Sequence, residues 1–207
     1  MSIKYTTTGY GGRIGHWIPD GEYVNSIEEA DLVMVPGGSD IDPRIYGETI
    51  VHPRSWGYTR MESDDTLKRI LKAIELKKHI FGICKGIQYG CAVSGGKLVQ
   101  DISHPGSHPV HTRENISFNV NSMHHQMCYP FNLPKKDYQI LAWADKLSDR
   151  HEDGDQKQMS LTVEPEFLHF KKTKFLGTQY HPEAMPANSK ALEFTLDTLY
   201  SFLKNKL

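Results

Sequence analysis

Cysteine is scarce in this chain of 207 residues. Cys84, Cys91 and Cys128 form an odd, sparse set, which rules out a fully paired disulfide framework and suits a reducing cytoplasm, with at least one thiol free. Long apolar runs are missing too. Nothing approaches the roughly 18 uninterrupted apolar residues of a membrane span. Met1–Asp20 has neither a basic n-region nor an apolar h-region, so a soluble, unexported protein is expected. Charge of one sign is also lacking: Lys+Arg 24 against Asp+Glu 25 leaves −1, and nothing draws the whole chain to nucleic acid or an anionic membrane. There is no repeat, low-complexity tract or linker, so residues 1–207 are read as one domain.

What is present is alternation. Asp31–Val35 is a short apolar run closed by Pro36-Gly37-Gly38, the pattern of a buried strand ending in a glycine turn. A loop of about 25 residues follows, long enough to suggest a functional role, with aromatics at Tyr46, Trp56 and Tyr58. Ser63 is placed to cap a helix whose stripe is Leu67, Ile70, Leu71 and Ile74. His79–Ile83 is strand-like and leads into Cys84-Lys85-Gly86 and a short helix. Ile116–Val120, Tyr138–Ala144, Leu161–Val163 and Phe175–Tyr180 read as further strands, Lys146–Gln158 as a polar hairpin tip, and Ser189–Lys204 as a terminal helix. Strand-helix-strand-helix order predicts an α/β fold: a mostly parallel sheet with helices on both faces, a three-layer α/β/α sandwich.

Three local patterns carry chemistry. Gly82-Ile83-Cys84-Lys85-Gly86 is a G-x-C-x-G set between strand and helix, the form of a nucleophile elbow, where flanking glycines avoid Cβ clashes. A thiol there meets a helix N-terminus, which favours thiolate; a buried cysteine between incidental glycines is the plain alternative. In Gln179-Tyr180-His181-Pro182-Glu183, Pro182 restrains His181 to extended geometry and residues two apart share a side, so imidazole and carboxylate can meet. On its own it could also be a polar turn. Pro36-Gly37-Gly38 at a strand end exposes backbone N–H groups suited to an oxyanion, or is simply a turn.

In this order the three motifs resemble the class I glutamine amidotransferase superfamily. Gly37–Glu48 (GGSDIDPRIYGE), GICKGIQ with Gly95-Gly96, Leu98 and Gln100-Asp101, and Asn121-Ser122-Met123-His124-His125-Gln126 are similar to elements of its γ-glutamyl-γ-aminobutyrate hydrolase-like branch. The resemblance covers roughly residues 32–184 and implies a flavodoxin-like amidotransferase fold. It makes Cys84 the nucleophile, His181 the general base and then acid, and Glu183 the orienting carboxylate. It places Gly37, Gly38 and the Lys85 N–H at the oxyanion, and Gln88, with Ser122 and His124, on the substrate side. The implied reaction is attack on a γ-glutamyl amide, release of ammonia or an amine, and thioester hydrolysis to glutamate, needing no metal or organic cofactor. The small-molecule substrate could be served alone or beside a synthetase or amidoligase partner; a catalytically inactive interaction module is the remaining alternative.

Departures from the family pattern are local. Before PGG the segment containing Gly9, Gly11, Gly12 and Gly15 is shorter than the family's strand-helix-strand, so the first crossover helix is expected to be missing or replaced. Cys91 stands where the branch often has Asn, and Asp64–Leu67 does not reproduce its Asp-x-x-Glu. His104, His108, His111, His124 and His125 are close in sequence, but Pro105, Gly106 and Pro109 break any aligning helix and no cysteine completes a zinc set, so no metal is expected. Lys171, Lys172 and Lys174 read as a solvated hairpin.

Overall fold

β-branched and aromatic runs separated by glycine and proline turns build a nine-stranded sheet in the computed structural model of the chain, which describes residues 2–9, 14–104 and 106–207. Its strands are β1 (Ile3–Thr7), β2 (Gly21–Tyr23), β3 (Leu32–Val35) and β4 (His79–Ile83). Two small pairs come next, from β5 (Lys97–Val99), β6 (Asp101–Ile102), β9 (Met127–Tyr129) and β11 (His151–Glu152). The main sheet is completed by β7 (Ser107–Thr112), β8 (Ser117–Asn121), β10 (Tyr138–Asp145), β12 (Val163–Phe170) and β13 (Phe175–Thr178). The order is β2-β1-β3-β4-β13-β12-β10-β7-β8. The first five strands run parallel, and from β13 onward every pairing is antiparallel.

Helices α1 (Arg60–Glu75) and α2 (Lys85–Val93) cover one face, where Ile70, Ala73 and Ile87 join Val33, Val35 and Ile80 in one core. Helix α3 (Lys190–Leu203) covers the other, burying Leu192, Leu199 and Phe202 with Leu32, Phe81 and Leu176. The three-layer α/β fold expected from the alternation is therefore present. Strand side chains pointing to opposite faces supply both cores, as a sheet buried on both sides requires.

Several boundaries differ from expectation, each for a local reason. Helix α1 starts a turn earlier: Thr59 is its N-cap, its Oγ accepting from Glu62 N at 3.2 Å, while Ser63 is buried within the first turn. Thr59-Arg60-Met61-Glu62 has the T-x-x-E spacing of a capping box. The buried stripe is Ser63, Thr66, Ile70 and Ala73, and Leu71 is exposed. Strand β12 runs well past the expected Leu161–Val163, because Glu164, Glu166 and His169 are buried in it and mask its apolar signal. Pro109 lies within β7; β10 pairs only with His111 and Thr112, so Pro109 has no β10 partner to deprive of a hydrogen bond. The stretch 146–158 is more than a hairpin tip, since His151–Glu152 pairs with β6 and His151 is fully buried.

Among the described residues no helix lies between β1 and β3. Trp17 and Ile18 fill that layer instead, the Trp17 ring lying 5.6 Å from Phe81. Gly11, Gly12 and Pro105 fall outside the described residues. No described helix is long and apolar enough to cross a membrane.

Candidate active site

The strand β4 delivers Cys84 directly to the first turn of α2, with backbone angles φ 51° and ψ −107°. This is a conformation that a residue with a side chain adopts only under constraint, at a cost of about 1–3 kcal/mol. Neighbouring backbones impose it. A Cβ on Gly82 would stand 2.3 Å from the Gly86 carbonyl carbon, and one on Gly86 would stand 2.1 Å from Val35 O. The Cys84 N–H donates to Thr178 O at 2.7 Å, tying the bend to the end of β13. The elbow read from G-x-C-x-G is thus built by contact with both adjoining strands.

Three residues after β13 comes His181. Its Nδ1–H donates to Glu183 Oε1 at 2.7 Å, and the Cys84 thiol is the other neighbour that acts on the ring. Burial would lower the His181 pKa, but the hydrogen bonds with Cys84 and Glu183 prevail and push it up to about 10. Asn121, at the end of β8, brackets the same residue: Oδ1 accepts from His181 N at 2.8 Å and Nδ2 donates to His181 O at 3.0 Å. From β3, Gly37 closes the group; a Cβ there would lie 2.8 Å from His181 Cε1 and 3.5 Å from Cys84 Cβ. The three chemical motifs of the sequence meet at one place.

Beside Gly37 opens a cavity of about 670 Å³, lined in part by Pro36, Glu62, Asp65, Thr66 and Lys85. The Lys85 ammonium crosses it to Glu62 Oε1 at 2.8 Å and lies over Gly38, where a Cβ would come within 2.9 Å of Nζ. Gln88 is buried on the first turns of α2 and donates from Nε2 to Gln126 O at 2.8 Å. His124 Nδ1–H reaches the same carbonyl at 2.9 Å, and Gln179 Nε2 reaches it at 3.4 Å. Ser122 Oγ is engaged by His104 Nδ1 at 3.0 Å. Burial and the neighbouring His104 hold the His124 pKa down at about 3, so its ring stays neutral.

The histidines that sequence spacing kept apart are partly reunited. His104, His108 and His124 gather around Glu164 and Glu166, whereas His111 sits near the surface by Asp145 and His125 pairs with Asp40. Proline and glycine do prevent a shared helix, but a strand and two loops achieve the same convergence. Asn121 and Gln126 were visible only as members of the NS-x-HHQ stretch; their roles depend on backbone atoms of residues distant in sequence.

With this geometry in hand, the family model for Peptidase C26 matches residues 17–183. The chain belongs to the Peptidase C26 family. Among its relatives, the glutamine amidotransferase-like protein YvdE of Lactococcus lactis is 30% identical over 50% of this chain and 52% of its own length. Protein NtpR of Enterococcus hirae is 32% identical over 37% of this chain and 32% of its own. The chain thus spans about half the length of YvdE and about a third of that of NtpR. Its fold is shared with a glutamine amidotransferase of Thermotoga maritima (TM-score 0.56, 15% identity, 100% of this chain and 86% of that one). It is shared too with the acivicin-bound glutaminase domain of Trypanosoma brucei CTPS (TM-score 0.56, 13% identity, 100% and 95%). A protein of Thermoplasma acidophilum, a candidate component of GMP synthase, aligns with TM-score 0.60 at 19% identity, over 99% of this chain and 94% of its own.

Proposed function

We propose that this C26 member hydrolyses the γ-amide of glutamine or of a γ-glutamyl amine through a γ-glutamyl thioester on Cys84. The observation that supports it most is the convergence of Cys84 and the Glu183-bonded imidazole of His181 on Gly37. In this reading the thiolate adds to the amide carbonyl while the charge collects on oxygen, facing the backbone N–H groups of Gly37, Gly38 and Lys85. His181, protonated on Nε2, then gives its proton to the departing ammonia or amine as the C–N bond breaks. The neutral ring next takes a proton from water, which attacks the thioester, releases glutamate and restores the thiol. Glu183 keeps Nδ1 protonated and stabilises the charged ring. Gln88, with Ser122 and His124 behind it, would form the wall facing the glutamyl portion. The domain proposed to do this is residues 1–207.

The test is glutamate release from glutamine and from simple γ-glutamyl amines, with Cys84→Ala as control and mass-spectrometric trapping of the acyl group on Cys84. Equal release by the two proteins would reject the reading and favour an inactive interaction module. A second reading, an ammonia-supplying partner of a separate synthetase or amidoligase, draws support from two of the fold neighbours, the GMP synthase component and the CTPS glutaminase domain. Glutamine turnover that is negligible alone and rises with an added ligase would select it. The three unpaired, buried cysteines fit a cytoplasmic setting for either.

A further inference from the structure

Behind the proposed triad lies a polar cluster whose two carboxylates the amide hydrolysis does not use. Glu164 and Glu166 project from β12 and are fully buried, yet among the described residues neither forms an ion pair with lysine or arginine. Imidazoles are the titratable groups that face them, and Glu164 Oε1 also accepts from the backbone N–H groups of Leu147 at 3.1 Å and Ser148 at 2.8 Å. Burying two carboxylates side by side is costly, and a positive charge placed among them offsets that cost.

The donor atoms are arranged for a cation. Around Glu166 Oε1 stand His108 Nε2 at 3.2 Å, His104 Nε2 at 3.7 Å and His124 Nε2 at 3.9 Å. Ligand atoms of His104, His108 and Glu166 all lie within 4.8 Å of one another. Tetrahedral bonds of about 2.0–2.1 Å put donors about 3.4 Å apart, close to these spacings. Glu166 Oε2 and His124 Nε2 are buried and have no hydrogen-bond partner among the described residues. Groups left unsatisfied in the interior call for an explanation.

We propose that His104, His108 and Glu166 form a binding site for one divalent cation of the zinc type, with His124 Nε2 beside the fourth position. Two imidazoles and a carboxylate on a buried site suit that class of ion. On binding, His104 Nε2 gives up its hydrogen bond to Glu164 Oε2, 2.9 Å away, and its proton passes to Nδ1, where it is donated to Ser122 Oγ, 3.0 Å away. Such an outer hydrogen bond fixes the tautomer of a ligating histidine. The ion joins the loop before β7, β7 itself and β12, and it neutralises the carboxylates. A second cluster, His52, Asp101 and Glu152, is excluded by contrast, since Arg150 and Arg54 already pair with Asp101 and would repel a cation.

The experiment uses the full chain, stripped with chelator, reloaded with Zn2+ and desalted. About one zinc per chain should be retained, the melting temperature should rise with Zn2+ and not with Mg2+, and Cys84→Ala should bind equally well. His108→Gln and Glu166→Gln should each weaken retention by more than about 100-fold. The proposal falls if the wild type keeps no zinc or if either variant keeps as much as the wild type. Should both variants fail to fold, Co2+ loaded into the wild type decides: visible bands of a nitrogen/oxygen site support it. A thiolate-to-cobalt charge-transfer band, or no bound cobalt, overturns it. None of these readouts depends on glutamate release.

Discussion

Asn121 holds His181 by both of its backbone polar groups, accepting from its N–H and donating to its carbonyl within 3.0 Å. One side chain from the end of β8 thereby sets the position of a ring that follows β13, four strands away across the sheet. In Asn121→Ala both bonds are lost, each worth about 1 kcal/mol. A ring displaced by a fraction of an ångström reacts poorly. The expected outcome is a drop in kcat of about 10- to 100-fold with little change in KM. Asn121→Asp, which keeps the acceptor and loses the donor, should fall between. An unchanged kcat in Asn121→Ala would remove Asn121 from the machinery.

Glu183→Gln tests the charge on His181. The folded-state pKa of His181 is raised from 6.5 to about 10, with Glu183 one of the two groups that raise it. A raised base contributes stability that is complete below its unfolded value and disappears as pH climbs through the folded one. Wild-type urea midpoints should therefore decline between pH 6.5 and 10, and those of the variant should start lower and decline less. Parallel curves over that range would mean that the carboxylate does not support the imidazolium. Activity should fall at least about 100-fold.

Two glycines give a matched pair for stability. Gly86→Ala drives a methyl into the Val35 carbonyl, whereas the space about Gly106 holds no atom within 4 Å of an added Cβ. The first should cost more than about 3 kcal/mol or prevent folding, and the second should stay within about 0.5 kcal/mol. Chemical denaturation of both variants checks this.

Acid should loosen α3. His79 and His169 both contact the Phe202 ring, with centroids 4.8 Å and 5.2 Å away. Burial first, then Lys171 and His79, lowers His169 to about 4. Since its unfolded value is higher, its contribution is present above pH 6.5 and is lost as pH falls through 4. His169→Leu should flatten the decline in thermal stability across that window; an identical decline in the variant would assign it to other groups.

Much of the centre was legible from sequence because it is made of contiguous motifs. Strands β3 and β4, the glycines about Cys84 and the His181-Pro182-Glu183 run each encode their own geometry within five residues. The antiparallel half was harder to read. In β12 buried acids stand where alternation would place apolar side chains, and in β7 a proline occupies a position with no partner on β10. The gathering of His104, His108 and His124 depends on pairings between segments up to 62 positions apart, as in the His104–Glu166 contact. No local period records that. Thr59, by contrast, was a readable cap that the neighbouring Ser63 obscured.

Strand β13 is the seam of the sheet, parallel to β4 on one side and antiparallel to β12 on the other. Because β4 and β13 run side by side and discharge Cys84 and His181 from the same edge, the spacing between sulfur and ring is registered by a four-rung ladder, Ile80–Phe175 to Ile83–Thr178. Remodelling of hairpins beyond β12 leaves that ladder untouched. Changes in the far half therefore leave the anchorage of both backbones intact and reach the imidazole only where Asn121 grips it.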